Sequence, residues 1–239
     1  MRVEGKGLVD RSAPVRFLFD GLAYQGFKGD TLASALLANG VKLVGRSFKY
    51  HRPRGVLTAG SEEPNALVEI IEERQQTPNV RATVQEIYEG MEAKSQNRWP
   101  SLKFDVMAVN DLAAPFLSAG FYYKTFMWPR AFWERIYEPI IRRAAGLGSL
   151  SRRHDEADYE KAFAFCDLLV IGAGPAGLAA ALQAGRAGAD VILADENPVM
   201  GGRLLSDMAL MDGKPALEWA RDVLDELGGM PNVRLMTRT

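Results

Sequence analysis

The sequence predicts two unlike domains in tandem, an α+β domain followed by an α/β domain built on a parallel sheet. Three observations predict this. Residues 167–204 read strand, glycine turn, helix, strand and acid in register. Residues 15–36 read as a hairpin that runs into a helix. Between these regions lies a stretch dense in aromatics and then in charge, which fits neither pattern. The expected boundaries are 1–95, 96–160 and 161–239.

The second domain carries the sharpest signal. Leu168–Ile171 is a β-branched apolar run of the kind found in buried parallel strands. Gly172, Gly174 and Gly177 follow it. The first glycine permits a tight turn, the second lets a pyrophosphate approach the backbone, and the third allows close packing of helix on sheet. Pro175 and Ala176 open a helix expected to end at Arg186. Proline suits that first turn, where its missing N–H costs little. The helix N-terminus offers free N–H groups to phosphate.

Gly188 stops the helix, and 189–194 reads as the second strand. Asp195 stands 18 positions after Gly177, near the spacing of the acid that binds a ribose hydroxyl. Its charge favours a free 2′-hydroxyl, hence NAD or the ADP half of FAD over NADP. Glu196 is the second choice, because adjacent strand residues face opposite ways. Gly202 in the Gly201-Gly202-Arg203 turn allows close approach of a ligand. Arg203 fits either a phosphate contact or a solvated position. Trp219–Leu227 and Val233–Met236 read as a further helix and strand. The layout is the first half of a Rossmann-type dinucleotide domain, and the expectation is therefore a fragment that binds NAD poorly by itself.

In the first hundred residues, Val15–Phe19 and Leu22–Phe27 flank the turn signal Asp20-Gly21. Asp30 or Thr31 can cap a helix bearing Leu32, Ala35 and Leu36 on one face, and Gly40 stops it. Val41–Val44, Leu67–Ile71 and Val80–Tyr88 read as further strands. This layout is of β-grasp type and resembles a plant-type [2Fe–2S] ferredoxin, with Gly45–Gly60 in the place of the cluster loop. That stretch has no cysteine, and such clusters need four sulfur ligands. A ferredoxin-like shell without its cluster is expected. The loop is basic instead: Arg46, Lys49, His51, Arg52 and Arg54 fit a solvated face, or contact with a phosphate-bearing cofactor or a partner. His51 has no partner nearby in sequence and is not read as catalytic.

Phe121–Tyr137 packs eight aromatics into 17 residues, which favours an interdomain or intersubunit role. A helix is expected over 138–145, stopped by Gly146 and Gly148, with a polar linker over 151–161 that exposes His154. The formal charge of −1 over 239 residues gives no case for nucleic acid. No apolar run approaches membrane-spanning length, and no signal peptide is visible. The lone Cys166 excludes an internal disulfide and reads as a small apolar residue. A cytoplasmic setting is expected. No residues show metal-ligand spacing or the pairing of a general base with a nucleophile, so catalytic residues stay unassigned.

Three blocks carry a family resemblance: GRSFKYHRPRG with SEEPNALVEI, YYKTFMWP with WERIYEPIIRRAAGLG, and VIGAGPAGLAAALQAGRAGADVILADE. Over roughly residues 15–239 the chain resembles the N-terminal part of the α subunits of heterotetrameric sarcosine oxidases. The resemblance implies oxidative demethylation of sarcosine to glycine, with hydrogen peroxide and formaldehyde or methylene-tetrahydrofolate. It implies NAD at Gly172, Gly174, Gly177 and Asp195, with FAD in a partner β subunit, plus FMN near the α/β boundary. Partners would be the smaller subunits and the β subunit, and the isolated chain would not be catalytic. Related chains of opine oxidases, hydrogen cyanide synthases and proline dehydrogenases share the early domain, and several keep cluster cysteines. The alternatives are an FAD- or NAD-dependent subunit of one of these amine oxidoreductases, or a non-catalytic scaffold subunit.

Overall fold

The computed structural model describes residues 2–3, 7–72, 75–117, 119–121, 124, 126, 128–144 and 159–239. The chain divides into two compact units, Met1–Ala157 and Asp158–Thr239.

The first unit begins with a hairpin, β1 (Asp10–Phe19) and β2 (Leu22–Lys28), paired so that Phe19 faces Leu22. Asp20 and Gly21 form the turn with φ of +49° and +78°, the left-handed pair that a two-residue hairpin of native twist demands. Helix α1 (Leu32–Ala38) follows, capped by Thr31, whose hydroxyl oxygen accepts the Ser34 N–H at 3.2 Å. The other candidate cap, Asp30, is buried beside it and accepts from the Phe27 N–H at 2.9 Å. A short ribbon, β3 (Gly45–Arg46) with β4 (Pro53–Arg54), precedes β5 (Leu67–Ile71), β6 (Gln76–Arg81) and β7 (Met91–Ser95). The large sheet runs β2-β1-β7-β5-β6, with β1 and β7 parallel at its centre. This is the β-grasp arrangement. Leu32, Ala35 and Leu36 of α1 pack with Phe17, Phe19, Val68 and Met91 in one core.

Two expected strands do not form. Residues 41–44 make no ladder, because the Val41 N–H donates back to Leu36 and the Val44 N–H to Arg54. Strand β6 stops at Arg81 instead of running to Tyr88. Beyond it the backbone serves the helix and loop: Ala82 O and Gln85 O accept the Ala33 and Leu32 N–H groups, and the Ala82 N–H donates to Ala66 O. The segment after β7 folds against this unit, since the Arg46 guanidinium donates to Leu102 O at 2.7 and 3.0 Å. A 3₁₀ turn, Val106–Asp111, follows. The expected helix beyond the aromatic stretch is α2 (Glu138–Ala144). Gly146, Gly148, His154 and linker residues 151–158 lie outside the described residues.

The second unit is a three-stranded parallel sheet of β8 (Leu168–Ile171), β9 (Val191–Asp195) and β12 (Val233–Thr237), ordered β12-β9-β8. Helix α3 (Pro175–Arg186) joins β8 to β9. The two-residue strands β10 (Leu210–Met211) and β11 (Lys214–Pro215) and helix α4 (Ala216–Gly228) lie between β9 and β12. Both helices pack against the face formed by Val170, Val191, Leu193, Val233 and Leu235. Exposed Arg186 and Glu226 clasp α3 to α4 with two contacts of 2.6 and 2.7 Å. The expectation that β8 is buried fails for this reason of layering. With both helices on one face, Leu169 and Ile171 turn to the other, and Ile171 is 83% exposed.

Candidate dinucleotide site

The site is assembled at the carboxyl end of β8 and β9, where open parallel sheets bind ligands. Gly172 leaves β8 with φ +96°, and its N–H donates to Ala194 O at 2.7 Å, so the turn is pinned to β9. Gly174 caps α3 in extended backbone, with Pro175 in the first turn and Ala176 exposed beside it. The first N–H groups of an α-helix have no acceptor within the helix. Those of α3 therefore face outward at this turn.

Each glycine can be weighed by the room it leaves. A Cβ on Gly177 would lie 1.8 Å from Gly172 O, so only glycine lets helix and strand cross this closely. A Cβ on Gly174 would meet nothing within 4 Å, so that side of the turn is open. A Cβ on Gly202, whose φ is +52°, would sit 3.1 Å from the Gly174 Cα. The Gly201 N–H donates to Ala173 O at 2.9 Å. The Gly201-Gly202 turn therefore docks on the first glycine turn, a contact that spacing alone does not reveal.

Asp195 ends β9 and is only 6% exposed. One carboxylate oxygen accepts the Ala173 N–H at 2.6 Å, and the other accepts the Asn197 backbone and side-chain N–H groups at 2.8 and 2.9 Å. A carboxylate offers about four lone-pair positions, which leaves one for a ligand hydroxyl. The structure thus brings Gly172, Gly174, Gly177, Gly202 and Asp195 together. Glu196 is exposed beyond the strand. Arg203 is also exposed and lies 3.5 Å from Asp207, a partner on its own turn.

The basic loop of the first unit is largely taken up by internal contacts. Besides Arg46, Arg52 pairs with Asp111 at 2.7 Å, and both Arg52 and Lys49 lie over the Tyr50 ring. Arg54 remains exposed. His51 does have a partner: its Nδ1 lies 2.6 Å from Asp105 Oδ2, and both residues are buried. That partner is 54 positions away, beyond the reach of local sequence reading. A second buried carboxylate, Glu63, accepts four backbone N–H groups from the loop around it. Burial pushes its pKa up, but those donors outweigh the effect and hold it below the usual glutamate value. In the aromatic stretch, Phe126 packs on Phe121 and Tyr137 with ring centroids 5.7 and 5.2 Å apart. Tyr122, Tyr123 and Met127 lie outside the described residues.

Residues 12–98 match the family of 2Fe-2S iron-sulfur cluster binding domains, and residues 167–229 match the FAD dependent oxidoreductases. Over 238 residues the chain is 66% identical to the sarcosine oxidase alpha subunit of Rhizobium meliloti (strain 1021), covering all of this chain and 24% of that one. The chain is a homologue of the sarcosine oxidase alpha subunit. The corresponding subunit of Corynebacterium sp. (strain U-96) is 34% identical over 97% of this chain and 19% of its own length. The chain thus spans about a quarter or less of these relatives. An opine oxidase subunit of Agrobacterium tumefaciens (strain Ach5) is 57% identical over 44 residues, 18% of this chain and 9% of that one. The crystal structure of L-proline dehydrogenase from P. horikoshii shares the fold, with a TM-score of 0.54 and 17% identity over 96% of this chain and 34% of that one. The oxidoreductase match favours FAD where the resemblance alone implied NAD. No helix among the described residues is long and apolar enough to cross a membrane.

Proposed function

We propose that this chain supplies the adenine-dinucleotide site of an α-type subunit in a flavin-dependent amine oxidase acting on sarcosine. The observation that carries the proposal is the joined cradle of Gly172, Gly174, Gly202 and Asp195, in a chain 66% identical to a sarcosine oxidase α subunit. The residues fit the ADP half of the ligand. Gly174 and the first turn of α3 would hold the pyrophosphate, Gly202 would keep the backbone close to it, and Asp195 would take a ribose hydroxyl. A 2′-phosphate would meet the Asp195 charge in a nearly water-free position, which disfavours NADP. FAD is the first reading, on the family match. NAD, which uses the same ADP contacts, is the second, on the sarcosine oxidase resemblance.

When bound, either dinucleotide supplies a two-electron acceptor. The chain's own residues bind and orient it, and none is assigned as an acid, base or nucleophile. Glycine, hydrogen peroxide and formaldehyde or methylene-tetrahydrofolate are the proposed products of the whole complex. FMN at the α/β boundary and FAD in a β subunit complete the proposed assembly. The exposed aromatics Trp128 and Phe132 suit contact with such partners.

The test is co-expression with a candidate β subunit, mass analysis of the extracted cofactors, and comparison of sarcosine, an opine and proline as substrates. Sarcosine oxidation by a complex that releases FAD or NAD is the expected result. A complex that oxidises only an opine or proline would move the assignment to those relatives. A chain that binds its partner but no dinucleotide would reduce it to a scaffold.

A further inference from the structure

The match over residues 12–98 implies a [2Fe–2S] cluster, and the residues present do not fit one. Plant-type clusters are held by four cysteine thiolates, three of them spaced C-x₄-C-x₂-C with the fourth downstream. The chain's single cysteine, Cys166, lies outside the matched stretch. The ligand spacing is nevertheless recognisable around Glu63. Glu63 is 1% exposed. One oxygen accepts the Leu57 and Thr58 N–H groups at 2.8 and 2.7 Å, and the other accepts those of Asn65 and Ala66 at 2.7 and 3.1 Å. Thr58, Glu63 and Ala66 are separated by four residues and then two. From just beyond β6, the Thr83 hydroxyl reaches into the same loop and donates to Gly60 O at 2.7 Å.

We propose that this loop is a cluster cradle whose centre has been taken over by the Glu63 carboxylate, with Thr58, Glu63, Ala66 and Thr83 standing at the four ligand positions. A cluster ligated by four thiolates is anionic, and its sulfurs accept hydrogen bonds from the protein around them. Amides that surround such a group are arranged for negative charge. A carboxylate offers them the same sign of charge without iron and closes the loop from inside. Ala66 is fully buried and Thr83 nearly so, so neither position faces solvent. The buried pair His51–Asp105 ties the neighbouring turn to the segment after β7. The Asp105 carboxylate also accepts the Trp99 N–H at 3.0 Å. The loop is thus a structural closure built on carboxylates, in place of an electron carrier.

The test uses the full chain carrying Thr58→Cys, Glu63→Cys, Ala66→Cys and Thr83→Cys together, reconstituted anaerobically with ferric iron and sulfide beside the parent chain. The folded variant should take up about two irons and two sulfides, with visible absorption that bleaches on reduction. The parent should take up none. Cluster uptake by the parent, or a folded variant that takes up none, would overturn the proposal. Glu63→Gln provides a second test if the fourfold variant does not fold. Glutamine keeps the shape but turns an N–H₂ towards loop donors, so the first unit should melt at least about 5 °C lower at neutral pH.

The sign of the pH effect follows from the lowered pKa of Glu63. Its stabilisation is fully present above the unfolded value of about 4.3 and is lost as pH falls through the folded value. The gap between parent and Glu63→Gln should therefore close on acidification. An unchanged melting temperature at every pH would contradict the role given to Glu63.

Discussion

The loop around Glu63 and the turn around Gly174 both gather backbone N–H groups on one point, and they differ in what occupies that point. In the first unit the protein's own carboxylate occupies it, buried and held by four donors. In the second unit the side of the turn at Gly174 is open, and the Asp195 carboxylate engages Ala173. The same physics of converging amides stabilises a fold in one case and, in the function proposed above, serves a ligand's phosphates in the other. Glycine marks the open arrangement and leaves the backbone uncovered. The filled arrangement needs a side chain instead.

That contrast can be broken at several points. The largest effect is expected from Glu63→Ala, which leaves four N–H groups, one buried and three partly so, without their acceptor. At about 1–3 kcal/mol for each unsatisfied group, the first unit should lose more than about 3 kcal/mol, read by urea unfolding. Gly177→Ala comes next. Its Cβ would press on a backbone oxygen at 1.8 Å, so we expect a loss of about 1–3 kcal/mol in the second unit, as for an overpacked site. Dinucleotide should be lost with it. Asp195→Asn should weaken dinucleotide binding by about 1.5–3 kcal/mol, the range of a hydrogen bond to a charged group, and should narrow the preference against a 2′-phosphate. Calorimetric titration with NAD and NADP checks this. Arg203→Ala should change stability by less than about 0.5 kcal/mol, because its pair with Asp207 is exposed. A large drop in dinucleotide affinity in that variant would instead make Arg203 a phosphate ligand.

Legibility in the sequence followed the range of the interactions. Helix α3 and the Asp20-Gly21 turn are legible because caps, positive-φ turns and apolar spacing are local, whereas β1 begins five residues before the expected Val15. Strand β6 was misplaced because its neighbours after Arg81 bond to α1 and to Ala66, which periodicity does not encode. The burial of β8 was overstated because an apolar run does not say how many faces will be covered. At the site, the glycines and Asp195 were visible as a motif, whereas the docking of Gly202 on Gly174 depends on how two turns meet in space. His51 looked solitary because Asp105 is distant in sequence. Nothing local in the sequence marks Glu63 except its five- and three-residue intervals to Thr58 and Ala66.

Gly174→Val in the co-expressed complex tests the central claim most directly. The position has ordinary backbone angles and no neighbour within 4 Å of an added Cβ. The substitution should therefore leave the chain folded, at a cost of about 1 kcal/mol for the poorer N-cap, while blocking the approach of a pyrophosphate. The parent complex should yield one more adenine dinucleotide per chain than the variant, with both proteins folded. Equal dinucleotide content in the two folded proteins would contradict it.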